Sequence, residues 1–393
     1  MSDVIVLKSS ESTIADTIRA MFELAGGIDK YVSQGERVLV KPNFIAPKGS
    51  ASGVTTDLGV IEAVIAAVLD QDATPIIGEG VPIAYNADAT FGRLGVRRLA
   101  EKYGVDLVNM DEYPYDMVAI DDAIVLKETP VCRLVREVDK IINLPKMKTH
   151  TQTTITLGMK NLKGCVPGEH KLKLHRLGVS AGVVDLNTII KPTFTIIDGI
   201  VALEGNGPTN GQPKRMNLLL GSDDILALEI IGATIMGFRP HRIKHIYLSR
   251  NKGIGEYNVA NINVIGENVA DVTDKFSLPV LKFSKWLGPL ALGLILPTVA
   301  WLGIDITRVS QRIFERFLPY PEFGDKCTGC GKCIKNCPAE AITFADERRP
   351  VVDHEKCIKC YVCDEVCMFG NVRIAGKGGS TPPCETQNER DVS

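Results

Sequence analysis

Net charge is the first thing this chain lacks: 45 Lys and Arg stand against 47 Asp and Glu, a balance of −2 over 393 residues. That neutrality leaves no global attraction to nucleic acid or to an anionic membrane. An export signal is missing from the first residues as well. MSDVIVLKSSES has an acid at Asp3, no basic residue before its short apolar run and no arginine pair, so the chain reads as cytoplasmic. Apolar and charged fractions, 45% and 23%, are those of an ordinary folded protein, and the length calls for two or three domains.

What the chain has in plenty is cysteine, and eight of the eleven fall in two copies of one pattern. Cys327, Cys330, Cys333 and Cys337 are spaced C-x-x-C-x-x-C-x-x-x-C and followed by Pro338; Cys357, Cys360, Cys363 and Cys367 repeat the spacing thirty positions later. Four thiols on so short a loop cannot all pair as disulfides without severe strain, but they wrap a 4Fe–4S cubane well. In the bacterial two-cluster pattern the fourth cysteine of each run ligates the other cluster. The expected ligand sets are therefore Cys327, Cys330, Cys333 and Cys367 for one cluster, and Cys357, Cys360, Cys363 and Cys337 for the second. A pair of zinc knuckles is the alternative, but zinc runs come as two C-x-x-C pairs with a long spacer rather than as two quadruplets. Thiolate-bound iron needs a reducing compartment, and its oxygen sensitivity points to an anaerobic or microaerobic host.

Ahead of the cysteines, 4–7, 37–41, 74–79, 140–146, 193–199 and 217–221 are short apolar runs ending in polar residues or glycine. Helical stretches at 12–25, 57–70, 93–103 and 223–237 lie between several of them. The alternation predicts an α/β domain over 1–275, with a mostly parallel sheet and helices on both faces. Residues 111–130, rich in acids and prolines, suggest an excursion with an antiparallel pair. An apolar connecting segment spans 276–320, a small α+β two-cluster ferredoxin-type domain spans 325–374, and the polar end 375–393, with Cys384, reads as disordered.

The uncharged run from Trp286 to Gly303 has the length of a short membrane span, with a tryptophan near each end. Pro289 and Pro297 interrupt it, and a single crossing would put the two domains on opposite sides of the membrane. An interdomain packing element is favoured over a membrane contact.

Segment 140–176 is the unusual stretch outside the cysteines: eight Lys and Arg, three of the six histidines (His150, His170, His175) and one acid, Glu169. No Phe, Tyr or Trp interleaves these charges, so a platform for single-stranded nucleic acid is not expected. A cationic excess just past a strand suits a small carboxylate or phosphate; a solvated lysine face is the plain alternative. Position favours a site. Lys146 and Lys148 follow one apolar run, Lys41 and Asn43 another, Glu79 a third and Asp198 a fourth, and the carboxyl edge of an open α/β sheet is where ligands bind. The glycine-rich stretch Gly205-x-Gly207-Pro208-x-x-Gly211 leads into a strand rather than a helix, so it fails the dinucleotide fingerprint.

Together, NLPKMKTH, GMKNLKG, His175, the IIDG run and the EGNGP loop resemble domain-of-unknown-function family 362, whose members often carry a C-terminal two-cluster ferredoxin module. The resemblance covers roughly 36–240 plus the cluster module and implies a cytosolic iron–sulfur protein of anaerobic type. It brings no settled activity. The second cysteine run departs from the usual pattern in having Met368 where proline follows the first.

The reading that results is a redox protein passing electrons from two clusters to an anion site on the α/β domain. Lys41, Asn43, Lys146, Lys160 and Asn161 would bind substrate; His150, His175 and Lys148 would act on it. The histidines also fit a divalent metal with Glu79 or Asp198, or a structural role, and an additional metal or flavin stays open. Cys132 and Cys165 read as buried thiols, with a nucleophile as the alternative. The expected partner is an electron donor or acceptor protein. Across 325–374 eight basic residues balance eight acids; that neutrality suits a tethered relay more than a free ferredoxin. The alternative is a non-enzymatic electron carrier, or an assembly factor that docks a partner.

Overall fold

The computed structural model describes residues 1–82, 85–168, 170–278, 319–325, 327–346 and 348–374. The connecting run 286–303 and the tail 375–393 lie outside them. The chain divides into two compact units, Met1–Pro279 and Val280–Ser393. No helix among the described residues is long and apolar enough to cross a membrane.

The described residues of the first unit hold twelve strands: β1 (Ser2–Lys8), β2 (Arg37–Lys41), β3 (Thr74–Glu79), β4 (Asp106–Asn109), β5 (Tyr115–Ala119), β6 (Glu128–Cys132), β7 (Lys140–Asn143), β8 (Lys146–His150), β9 (Thr154–Thr156), β10 (Phe194–Glu204), β11 (Gln212–Ser222) and β12 (Ile262–Gly266). Ten of them make one sheet in the order β12-β1-β11-β10-β7-β2-β3-β4, with β8 paired to β10 and β9. The pairings β2–β3, β2–β7, β3–β4, β7–β10, β8–β10 and β1–β12 are parallel, while β11 and β9 pair antiparallel.

Because strand side chains alternate, neighbours along each strand serve opposite cores. Val38, Val40, Ile77 and Ile142 pack with helices Ile14–Leu24 and Leu58–Leu69. Leu39, Ile76, Ile141 and Ile197 pack on the other face with helices Val179–Ile189 and Ile225–Ile235. This is the doubly covered, mostly parallel sheet that apolar runs without polar alternation call for.

Three local outcomes differ from the sequence pattern. The expected helix 93–103 is two, Ala87–Leu94 and Val96–Tyr103, because Gly95 turns left-handed (φ +80°) between them. The single run 140–146 is also two strands. Pro145 has no N–H for a ladder, so β7 ends at Asn143 and β8 restarts at Lys146 farther along β10, opposite Asp198. Third, the run 193–199 extends to Glu204 as β10 and so serves β7 and then β8. The antiparallel excursion is present as β5 against β6.

In the second unit, β13 (Pro321–Phe323) pairs with β16 (Val372–Ile374), and β14 (Ile342–Phe344) with β15 (Pro350–Val352). Short helices Lys332–Lys335 and Val362–Glu365 follow equivalent cysteines. The thirty-residue repeat persists in the backbone: left-handed φ values occur at 329 and 359, 331 and 361, and 340 and 370.

Candidate functional site

The cysteines of the second unit fall into two neighbourhoods. Cys327, Cys330, Cys333 and Cys367 line one cavity, with Phe323, Phe369 and Val372 among its walls. Cys337 lies within electrostatic reach of Cys357 and Cys360, which puts it with the second run. The fourth cysteine of each run also receives a backbone hydrogen bond from four residues on: Ala341 N–H donates to Cys337 Sγ, and Asn371 N–H to Cys367 Sγ, both at 3.3 Å. Bonds of that kind are among the levers that set a cluster's potential. Among the described residues no three His, Cys, Asp or Glu side chains close in on a single-ion point. Four thiols facing one cavity are the donor set that an iron–sulfur cluster takes. The thiols present therefore fit an iron–sulfur group.

In the α/β unit, the carboxyl ends of β2, β3 and β7, together with β8 and the Asp198 position within β10, converge on a buried polar cluster. Alternate positions of β8 share one face, so Lys146, Lys148 and His150 point the same way, all within 1% of full burial. Lys146 Nζ donates to Asp198 at 2.8 Å, and the same carboxylate accepts from Asp57 N–H (2.8 Å) and Ile200 N–H (3.1 Å). Lys41 Nζ donates to both oxygens of Glu79 at 3.1 and 3.0 Å, with Gly80 N–H adding a third bond at 2.8 Å. Gly164 packs flush on this pair: a Cβ there would meet Glu79 Oε1 and stand 2.8 Å from Lys41 Nζ. Buried charges survive when paired and hydrogen-bonded, and both lysines are paired with a carboxylate that also accepts from backbone N–H groups.

Lys148 is held differently. Its Nζ donates to Asn43 Oδ1 at 2.6 Å and to the Val54 carbonyl at 2.8 Å. Asn43 Nδ2 donates to Asn161 Oδ1 (2.8 Å), Asn161 Nδ2 to Asn143 Oδ1 (2.8 Å), and Asn143 Nδ2 to the Gly158 carbonyl (3.1 Å). An ammonium can only donate, so it fixes which way the first amide faces, and each amide then fixes the next.

The two histidines are linked through Gln152. Its backbone N–H donates to His150 Nδ1 at 3.0 Å, and its side-chain Oε1 lies 2.7 Å from His175 Nδ1. His175 Nε2 lies 2.7 Å from Lys163 Nζ. With Lys163 donating, His175 is neutral with its proton on Nδ1; with Nδ1 accepting, neutral His150 carries its proton on Nε2. Both rings are held well below the usual histidine range. Burial is the main cause for each, followed for His150 by Lys160, His175, Lys163 and Lys148, and for His175 by Lys163 and Lys160. Lys160 itself is half-buried.

All eight candidate residues of this unit thus fall in or beside one region. Glu79 and Asp198, considered as metal carboxylates beside the histidines, are each taken by a lysine. The thiols outside the cysteine runs behave as core: burial pushes Cys132 up to about 11 and Cys165 up to about 12. Gln152, Lys163 and Asn143 were missed. Asn143 closes an apolar strand as Lys41 does, and Lys163 belongs to the basic stretch 140–176, both readable signals; Gln152 carries none.

A doubly wound α/β domain with a buried lysine–carboxylate cluster, joined to a dicluster cysteine module, defines the class. Residues 38–234 match the family described as "Domain of unknown function (DUF362)", and residues 326–371 match the "4Fe-4S dicluster domain". The chain belongs to the DUF362 family. A thylakoid-associated protein of Synechocystis is 31% identical over 246 residues, covering 61% of this chain and 74% of that protein. A ferredoxin of Methanothermococcus thermolithotrophicus is 31% identical over 52 residues, covering 13% of this chain and 87% of the ferredoxin. Among solved structures, the lactate racemase apoprotein from Thermoanaerobacterium thermosaccharolyticum has a TM-score of 0.41 at 9% identity, covering 61% of this chain and 58% of that one.

Proposed function

We propose that this chain is an iron–sulfur redox protein whose two 4Fe–4S clusters pass electrons to a small anionic substrate bound in the α/β unit. Cys327, Cys330, Cys333 and Cys367 would hold one cluster, and Cys357, Cys360, Cys363 and Cys337 the other. When bound, such clusters supply single electrons. The protein belongs, on this reading, in a reducing compartment such as the cytoplasm, where its thiols stay available.

The observation that carries the anion site is the crowding of Lys148, Lys160 and Lys163 about two buried, neutral imidazoles at the sheet's carboxyl edge. A cationic excess in a low-dielectric setting strengthens charge-assisted bonds to an anion. His150 would then donate a hydrogen bond from Nε2 to the bound anion, while the Gln152 and Thr153 N–H groups on Nδ1 hold its ring. Lys41, Lys146, Asn43 and Asn161 contribute by orienting Lys148 and the strand ends, since the first two are committed to carboxylates.

The test uses full-length protein purified anaerobically. Calorimetric titration with inorganic phosphate and with acetate is run at low ionic strength on the wild type, Lys148→Met and His150→Gln. Iron and sulfide are measured on the same samples, with about eight irons per chain expected. The expected result is anion binding weakened about tenfold or more in Lys148→Met, about 1.4 kcal/mol, with iron content retained. Equal affinity in that variant, or no binding of either anion by the wild type, overturns the site.

A further inference from the structure

The two halves of the cluster unit match in backbone and differ in what surrounds their cysteines. Helix Lys332–Lys335 carries Lys332 and Lys335, whereas its counterpart Val362–Glu365 carries Asp364 and Glu365. Exposure differs in the same sense: Cys330 is exposed, and the equivalent Cys360 is buried. Beside Cys330, large apolar side chains face solvent, with Phe344 42%, Met368 47% and Phe369 53% exposed. These residues are neighbours. Phe369 and Lys332 line the same cavity as Cys327, Cys330, Cys333 and Cys367. Lys332 Nζ lies 3.4 Å from Met368 Sδ, and the Phe344 ring lies 3.8 Å from the place a Cβ on Gly331 would take.

A small apolar patch beside an exposed cluster ligand, bordered by lysines, has the anatomy of a transient electron-transfer interface. Rim charge sets the encounter rate, and a small apolar centre permits fast release. We infer that this face, centred on Cys330, docks an acidic electron-transfer protein, and that electrons enter the chain there. Charge complementarity selects the partner: with no net charge across 325–374, the local lysines are the feature that an approaching acidic rim can recognise. An anionic lipid surface would also meet lysines and apolar groups, but it has no electron to give. The inference rests on the electron-transfer role proposed above and adds the entry face and the partner's chemistry.

The experiment follows reduction of the full-length holoprotein by stopped flow, using two probes: a strongly acidic reduced ferredoxin and reduced methyl viologen. The quantity read is the ratio of the two second-order rate constants, in the wild type, Lys335→Glu, Lys332→Glu/Lys335→Glu and the control Lys356→Glu, all matched for iron and sulfide. The ferredoxin rate in the wild type should fall as salt rises. Charge reversal at 332 and 335 should lower the ratio about tenfold, within the range that steering accounts for, and Lys335→Glu alone should lower it less. A ratio unmoved by these changes overturns the docking face, as does an equal fall in Lys356→Glu. Cosedimentation with phosphatidylglycerol vesicles that blocks ferredoxin reduction makes the face a membrane contact and also overturns it. Clusters that neither probe can reduce would instead remove the electron-transfer role beneath it.

Discussion

Lys148 reaches from β8 to Asn43 at 2.6 Å, and this bond sets the direction of three amide bonds beyond it, through Asn161 and Asn143 to the Gly158 carbonyl. One cation therefore orients three amide side chains, those of Asn43, Asn161 and Asn143. Replacing Asn43 with Ala should remove one partner from Lys148 Nζ and one from Asn161 Oδ1. A buried group left unsatisfied costs about 1–3 kcal/mol, readable as a lowered urea midpoint in far-ultraviolet circular dichroism.

Lys146 and Asp198 form a pair with both side chains fully buried. Lys146→Met strands the carboxylate, and breaking such a pair costs about 3–5 kcal/mol. Lys146→Met/Asp198→Asn should recover much of that loss, because the amide carries no charge. Equal destabilisation in the single and double variants would show that the pair's charge is not what matters. Iron content should be the same in both.

The two neutral histidines make stability depend on acid. Each ring's folded value is depressed, so below the ordinary value near 6.5 the unfolded chain takes up protons that the folded chain refuses. Stability from this source is complete above that pH and is lost as pH falls below it, by about 1.4 kcal/mol per pH unit for each ring. Histidine ring NMR signals from 150 and 175 should stay neutral at mildly acidic pH. His175→Gln should flatten the stability slope by about half.

Cys367 sits with the first cysteine run, thirty-four or more positions from its co-ligands in sequence. Cys367→Ser should alter the electron paramagnetic resonance of the cluster held by Cys327, Cys330 and Cys333 and leave the other signal in place. If the cluster of the second run changes instead, ligation is sequential and the crossed assignment is wrong.

The thiols at 132 and 165 are protonated at neutral pH, since burial moves them to about 11 and about 12. Iodoacetamide treatment of the native protein near pH 8 should leave both unmodified by mass spectrometry, with labelling only after unfolding.

The strands and the iron–sulfur character of the cysteine runs were legible because each depends on periodicity or short spacing. Val38, Leu39 and Val40 form a continuous apolar run, and such a run means a strand covered on both faces. The break at Gly95 was less legible, because a single glycine is tolerated inside many helices. Pairings such as Lys41 with Glu79 were not legible at all: 38 positions separate them, and nothing local links a lysine after one strand to a glutamate after another.

The sequence by itself determined the cluster chemistry, since four thiols within eleven positions can meet with few other choices open to the chain. It also determined the class of sheet, through runs whose period admits one kind of element. Only the tertiary structure decided what the lysines do. A lysine at a strand end can face solvent, an anion or a carboxylate, and which of these it meets depends on strand order and register. Here register placed Lys146 beside Asp198 and left Lys148 to amides. That separated the lysine held on a carboxylate from the one that orients the amides.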